Sequence, residues 1–216
     1  MKTVVRLSDN HRRELFAATA GKMRVVDAVI EKDFWACFVL KEIFADMTMR
    51  DNFLFKGGTS LSKCYGLIKR FSEDIDLILD WRQLGITDEL AWQDRSATQQ
   101  DKFNQQIDDL SRAFIHACIL PQLKSLLPDL ELKIDPRDGN VILVRYPALF
   151  VHDYFLDYIK LEIGPRASRI PKNEVSISSY AGEQYPDIFE QPWFKVIAIT
   201  AERTFWEKAT ILHQVA

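Results

Sequence analysis

The sequence predicts an α+β protein, a mixed sheet flanked by helices with additional helices at the N- and C-terminal ends. Two observations carry this. Short alternating or β-branched runs stand at residues 52–56, 74–80, 129–135, 140–147 and 154–164. Apolar residues at three- and four-residue spacing mark helices before, between and after them. In order, the chain reads helices, strand–helix–strand, long helix, meander, helix, which suits a mixed sheet packed on helices.

Each element has a local reason. Ser8 or Asp9 caps a helix running to about Gly21. In the stretch 25–47, Ile30, Phe34, Cys37, Phe38 and Phe44 share a helical face. Residues 52–56, NFLFK, form an apolar run ending at a glycine pair, as a buried strand does. GGTSLSKCYGLIKR, 57–70, then reads as a turn opening a helix, and DIDLILD, 74–80, alternates with period two. Residues 81–100 are polar without periodicity and read as loop. Phe103, Ile107, Leu110, Phe114 and Ala117 make 101–120 an amphipathic helix, with Pro121 placed to kink or end it. DLELKID and NVILVRYP flank PRDG and form a hairpin, and YFLDYIKLEIG adds a strand. Residues 165–192, with four prolines, read as irregular, and a last helix starts near Thr200.

The chain therefore divides into an N-terminal helical segment packed on the core (1–48), a core (49–200) and the start of a C-terminal helical region (201–216). The last helix has no glycine or asparagine cap before Ala216, so it reads as cut short.

Composition narrows the function. At 216 residues and 47% apolar, the chain buries a core without staples. Its net charge of −3 argues against a surface that coats nucleic acid throughout, and leaves a local basic patch open. Its three cysteines, Cys37, Cys64 and Cys118, show no CxxC spacing, pointing to free thiols in a reducing compartment. There is no signal-peptide core and no membrane-length apolar run, so a cytoplasmic protein is expected.

The chemistry concentrates in Gly57-Gly58-Thr59-Ser60-Leu61-Ser62-Lys63 and Arg70-Phe71-Ser72-Glu73-Asp74-Ile75-Asp76-Leu77. Asp74 and Asp76, two apart on a strand, project to one face. Paired carboxylates repel, and a divalent cation between them removes the conflict; oxygen-only ligands favour Mg²⁺ or Mn²⁺ over zinc. The glycine pair lets backbone approach a ligand, and the helix start that follows offers N–H groups to a phosphate, with Thr59, Ser60 and Lys63 as further donors. A phosphate cradle and a metal-binding carboxylate pair joined by one helix describe a nucleotidyl-transfer site using an NTP. Glu162 is the candidate third carboxylate, and Lys160 on its face a phosphate ligand. Taken singly, a DxD is often a solvated strand edge and GGTS a tight turn; their order and spacing together point to the site.

Other motifs fail. A Walker A loop misses two of its requirements, and GxSxG lacks its final glycine. His11, His116, His152 and His213 have no zinc-ligand spacing. Lys56, Lys63, Lys69 and Arg70 form one basic cluster and Arg166, Arg169 and Lys172 another, either RNA-guiding or simply solvated. The five tryptophans do not line up as a stacking platform, which favours core or interface roles.

At these residues the sequence resembles the AbiEii/AbiGii-type nucleotidyltransferase toxin family, within the polymerase-β-like nucleotidyltransferase superfamily. Glu31-Lys32-Asp33-Phe34-Trp35 resembles an N-terminal helix segment of the family. Residues 55–63 are similar to its first motif, 70–77 to its second and 160–163 to its third. Glu202, Glu207 and Lys208 resemble the start of its fourth. The resemblance implies a polymerase-β-like fold and Mg²⁺-dependent transfer of NMP from an NTP to RNA, notably the tRNA 3′ end. It implies a toxin of a toxin–antitoxin or abortive-infection (phage-defence) system, with a cognate antitoxin, often winged-helix. Asp74 and Asp76 would hold metal, Ser60 and Lys63 the triphosphate, and Lys208 nucleotide phosphates. The family's further helical region with an RDxxD-like element does not follow Lys208 here. Lys208 has a second reading as a surface lysine, and Glu31, Lys32 and Asp33 read as surface charges or structural partners. A small-molecule or protein acceptor, or a non-catalytic nucleotide- or protein-binding module, stays open.

Overall fold

The computed structural model describes residues 1–68, 73–150, 156–166 and 169–215. Its strands are β1 (Phe53–Lys56), β2 (Asp74–Leu79), β3 (Glu131–Asp135), β4 (Asp138–Arg145), β5 (Tyr158–Gly164), β6 (Lys172–Ser178) and β7 (Trp193–Ile199). They form one seven-stranded sheet in the order β3-β4-β5-β2-β1-β7-β6. The β2–β5 and β1–β7 pairs are parallel and the others antiparallel, so the sheet is mixed, as expected.

Period two divides the central strands between the faces. Ile75, Leu77 and Leu79 of β2 and Ile159, Leu161 and Ile163 of β5 enter the main core. Asp74, Asp76, Lys160 and Glu162 alternate to the other face, where Leu54, Ile78 and Ile199 form a small second cluster. Helix α1 (Lys2–Val5) leads into α2 (Asp9–Met23), capped by the Ser8 hydroxyl accepting from the His11 N–H at 3.4 Å. It ends at Arg24, which takes a left-handed conformation at φ 57°.

Helix α3 (Asp27–Ala45) is buried almost all round rather than along the one face its apolar residues mark, so it is a core helix. Phe34 and Trp35 are both fully buried, each worth about 2 kcal/mol of apolar burial. Glu31, Lys32 and Asp33 are buried too, which removes their surface-charge reading and leaves the structural one. Helix α4 (Met47–Asn52) follows, capped by the Asp46 carboxylate accepting from the Met49 N–H.

Several elements depart from the sequence reading. Helix α5 spans only Gly57–Lys63, not 57–70. Residues 81–100 contain a 3-10 turn (Trp81–Leu84), α6 (Asp88–Ala91) and the start of α7 (Ala97–Phe114). Ser96 and Gln99 close a capping box there, which fixes the helix start at Ala97, four residues before the expected 101. Pro121 does not end this helix. A π-helical stretch, Ile115–Ile119, leads directly into α8 (Leu120–Leu126), and its wider turn takes up the break that the missing Pro121 N–H makes in the hydrogen-bond ladder. Residues 165–192, read as irregular, hold β6, α9 (Tyr180–Gln184) and a 3-10 turn. β6 escaped notice because its first residues are exposed and polar, as on a sheet edge. Residues 154 and 155 of the expected third strand lie outside the described residues, and β5 begins at Tyr158. α10 (Ala201–Val215) follows β7 directly.

Candidate active site

β2 brings Asp74 and Asp76 to one face, and its neighbours complete the patch. In the β2–β5 register, Asp74 lies opposite Lys160 and Asp76 opposite Glu162. In the β1–β2 register, Lys56 lies opposite Asp76. Three carboxylates and two lysines therefore share three adjacent strands. Burial pushes the Asp76 carboxyl up; Lys56 opposes this, Asp74 adds to it, and Lys208 of α10 opposes it. Burial likewise raises Glu162, followed by the charges of Asp76 and Asp74, with Lys160 acting against them. The acids thus feel one another across the ladder, and Lys208 stands near enough for its charge to bear on Asp76.

Gly57 turns the chain from β1 into α5 with φ +81°, in the left-handed region that favours glycine. A Cβ built on it would sit 1.8 Å from Asp76 Oδ2. The residue is glycine because a carboxylate occupies the place of its side chain. Gly58 follows it, partly open to solvent.

Three side chains of this segment make contacts within the protein. The Thr59 hydroxyl donates to the Asp74 carbonyl at 2.5 Å, bracing α5 against β2. Ser60 is fully buried, and its hydroxyl donates to the Gly57 carbonyl at 3.0 Å, closing the turn. Lys63 turns inward: its ammonium pairs with Asp33, donates to the Ser178 carbonyl at 3.2 Å and lies over the Tyr180 ring. Ser60 and Lys63, expected at the triphosphate, and Thr59, expected as a third side-chain donor, make these contacts within the protein. Their polar groups are spent on the fold.

Three consecutive charges of α3 hold the surroundings together. The Glu31 carboxylate accepts from the Leu149 and Phe150 N–H groups at 2.8 and 3.0 Å. The Lys32 ammonium donates to Glu73 at 2.5 Å and to the Leu156 carbonyl at 3.0 Å, fastening the chain just before β2 and β5. Asp33 accepts from Lys63 and from the Tyr180 N–H at 2.7 Å. Sequence reasoning missed Lys32 as an anchor of both acidic strands; no local signal distinguishes it from an exposed helical lysine.

The donor set, carboxylate oxygens on one face, fits a hard divalent cation in type. Asp74 and Asp76 offer the pair and Glu162 stands one strand away. Among the described residues, no group of three or more acidic, histidine or cysteine side chains is already gathered as a metal cage.

Only part of the two basic clusters falls among the described residues. Lys69 and Arg70 lie outside the described residues, and Lys63 is internal. Arg166 pairs with Asp108 at 3.0 Å, and Arg169 is buried against Asp80 at 3.4 Å. Among the tryptophans, Trp35 is core, and Trp81, Trp92 and Trp206 line a single cavity that Lys56 also lines.

No helix among the described residues is long and apolar enough to cross a membrane. Comparison with curated proteins and with solved structures returned no match. The sequence profile of a family described as "Nucleotidyl transferase AbiEii toxin, Type IV TA system" matches residues 39–216. The chain belongs to this family of nucleotidyltransferase toxins, whose systems pair a toxin with an antitoxin.

Proposed function

We propose that this AbiEii-family toxin transfers NMP from an NTP to an RNA acceptor, the tRNA 3′ end, and that it acts in the cytoplasm as the toxic half of a phage-defence pair. The observation that carries this reading is the gathering of Asp74, Asp76 and Glu162 on one sheet face beside the Gly57 notch. Its free cysteines suit a reducing compartment. A cognate antitoxin of winged-helix type completes the proposed pair.

In the proposed reaction the acceptor hydroxyl oxygen bonds to the α-phosphorus. The bond from that phosphorus to the bridging oxygen breaks, and pyrophosphate leaves with the electron pair. Asp74 and Asp76 would hold Mg²⁺ or Mn²⁺, which when bound neutralises triphosphate charge and favours ionisation of the attacking hydroxyl. Glu162, its carboxyl raised by burial and by its acidic neighbours, takes the hydroxyl proton. The Gly57–Gly58 turn lets the triphosphate approach the backbone. Lys56, Lys160 and Lys208 offset phosphate charge.

The test is labelled-NTP transfer with separate pools of tRNA, small molecules and protein, alongside multiple-turnover pyrophosphate release. Asp74→Asn and Asp76→Asn are each expected to abolish transfer to tRNA and toxicity while leaving thermal unfolding intact. Full activity in both variants defeats the assignment of the acids, and label on protein alone defeats the RNA acceptor.

A further inference from the structure

Beside the acidic face, with Lys56 in its wall, lies a cavity of about 520 Å³. It starts at Lys56, level with Asp76, and runs past the C-terminal ends of β2 and β5 to Trp81 and Arg166. Its walls carry aromatic rings from four elements: Trp81 after β2, Trp92 after α6, Phe103 of α7 and Trp206 of α10. The Trp81 and Trp92 rings meet edge to face at 5.8 Å. Trp92 and Trp206 expose 67% and 64% of their surface, so core packing does not explain them. Gln100 and Asn104 of α7 also line the cavity. The Gln100 side-chain amide donates to Asn104 Oδ1 at 2.9 Å, which leaves Gln100 Oε1 and Asn104 Nδ2 outside this bond. Flat aromatic faces beside paired amide donors and acceptors are the chemistry that recognises an unstacked nucleobase, and cations at the rim suit its phosphate.

Which base enters follows from position. The Gly57 turn lies on the Ile75 side of Asp76, because β1 runs antiparallel to β2. The cavity lies on the other side, toward Trp81. In-line displacement places the entering hydroxyl opposite the departing pyrophosphate. With the triphosphate at the glycine turn, the cavity side belongs to the attacking strand.

We infer that this cavity receives the terminal nucleobase of the acceptor RNA, stacked among Trp81, Trp92 and Trp206. The inference rests on the transfer reading of Asp74 and Asp76. Lys56 then spans the two halves of the site, facing Asp76 across the ladder and lining the base cavity.

The experiment compares a short 5′-labelled RNA with the same RNA lacking its terminal base, bound to the intact chain without NTP and read by anisotropy. Removal of the base is expected to weaken binding about tenfold in the unmodified protein. Trp92→Ala and Trp206→Ala are expected to bind both RNAs equally weakly, and Trp92→Phe to restore the difference. In steady-state assays the KM for RNA rises in the alanine variants while the KM for NTP holds. Equal binding of the two RNAs by the unmodified protein overturns the inference, as does a rise in the KM for NTP alone, which would give the cavity to the donor base. Base-dependent binding without pyrophosphate release upholds the cavity and removes the transfer reading. Base-independent binding with release abolished by Asp76→Asn does the reverse.

Discussion

The Gly57 backbone and the Asp76 carboxylate occupy adjoining space so closely that a methyl group on Gly57 would lie 1.8 Å from Asp76 Oδ2. The fold thus keeps the chain reversal after β1 and an acid of β2 in direct contact, and either one dictates the other. Gly57→Ala must shift the carboxylate or the turn, and it also places a Cβ at φ +81°. The stability loss is expected to be modest, about 1–2 kcal/mol by thermal unfolding. The activity loss is expected to be larger, on the order of a hundredfold in pyrophosphate release, because displacement near 1 Å is costly at a reacting centre. Unfolding cost with unchanged turnover would detach Gly57 from the site.

The buried Lys63–Asp33 pair supplies a second prediction. Burial alone would lower the Lys63 ammonium, but Asp33 dominates and holds it above its ordinary value. A cation with a raised folded value contributes stability that is complete below its usual 10.5 and lost as pH climbs through the folded value. Lys63→Met strands the Asp33 carboxylate among apolar neighbours and is expected to cost about 3–5 kcal/mol in denaturant unfolding. Adding Asp33→Leu should recover most of that loss. A well-folded Lys63→Met that fails only in NTP binding would return Lys63 to the phosphates.

Much of the site was legible because strand alternation is local. DID on an alternating strand requires both acids to share a face, and β5 repeats the pattern with Lys160 and Glu162. The inward turn of Lys63 was not legible, because it depends on Asp33, thirty positions earlier on a helix whose charges read as surface. Nothing in EKD reveals that α3 is buried all round; that follows from how the sheet, α2 and α9 pack on it. The aromatic cavity was unreadable for a similar reason. Trp81, Trp92 and Trp206 belong to separate elements, and only the fold brings them together.

Lys56 faces Asp76 across the β1–β2 ladder and partly offsets the rise that burial imposes on that carboxyl. Lys56→Met removes the opposing charge, so the Asp76 carboxyl rises further. Its ionised form is then lost at a higher pH as the solution is acidified. The acidic limb of the pH profile of kcat/KM should move upward, with activity near neutrality falling about tenfold. An unmoved limb would show that Asp76 ionisation does not limit the rate.

The thiols differ in reach. Burial raises Cys37 and pushes Cys64 up to about 12 against the opposing charge of Lys63, whereas Cys118 is exposed. Thiolate is the reacting species, so a maleimide at pH 7.5 should modify Cys118 alone in the native protein and all three after denaturation. Intact mass and peptide mapping read the result. Rapid native labelling of Cys64 would contradict its partial burial at the C-terminal end of α5.

Asp80 links the exit of β2 to a distant loop. Burial would raise its carboxyl, but the Arg82 side chain and N–H, with Arg169 behind them, hold it below the usual value of 3.8. Arg169 is itself buried and donates to the Asn52 carbonyl at 3.3 Å, so one arginine joins β2 to the end of α4. A carboxylate with a depressed folded value contributes stability that is present above its ordinary value and lost as pH falls through the folded one. Acid unfolding followed below pH 4 should therefore include a step that Asp80→Ala removes. The same variant leaves Arg169 buried without its carboxylate and should lose about 3 kcal/mol at neutral pH. Combining it with Arg169→Met should restore part of that stability, because the stranded cation is gone. A neutral single variant at pH 7 would show that Arg169 finds water or another acceptor and that the latch does not hold β2.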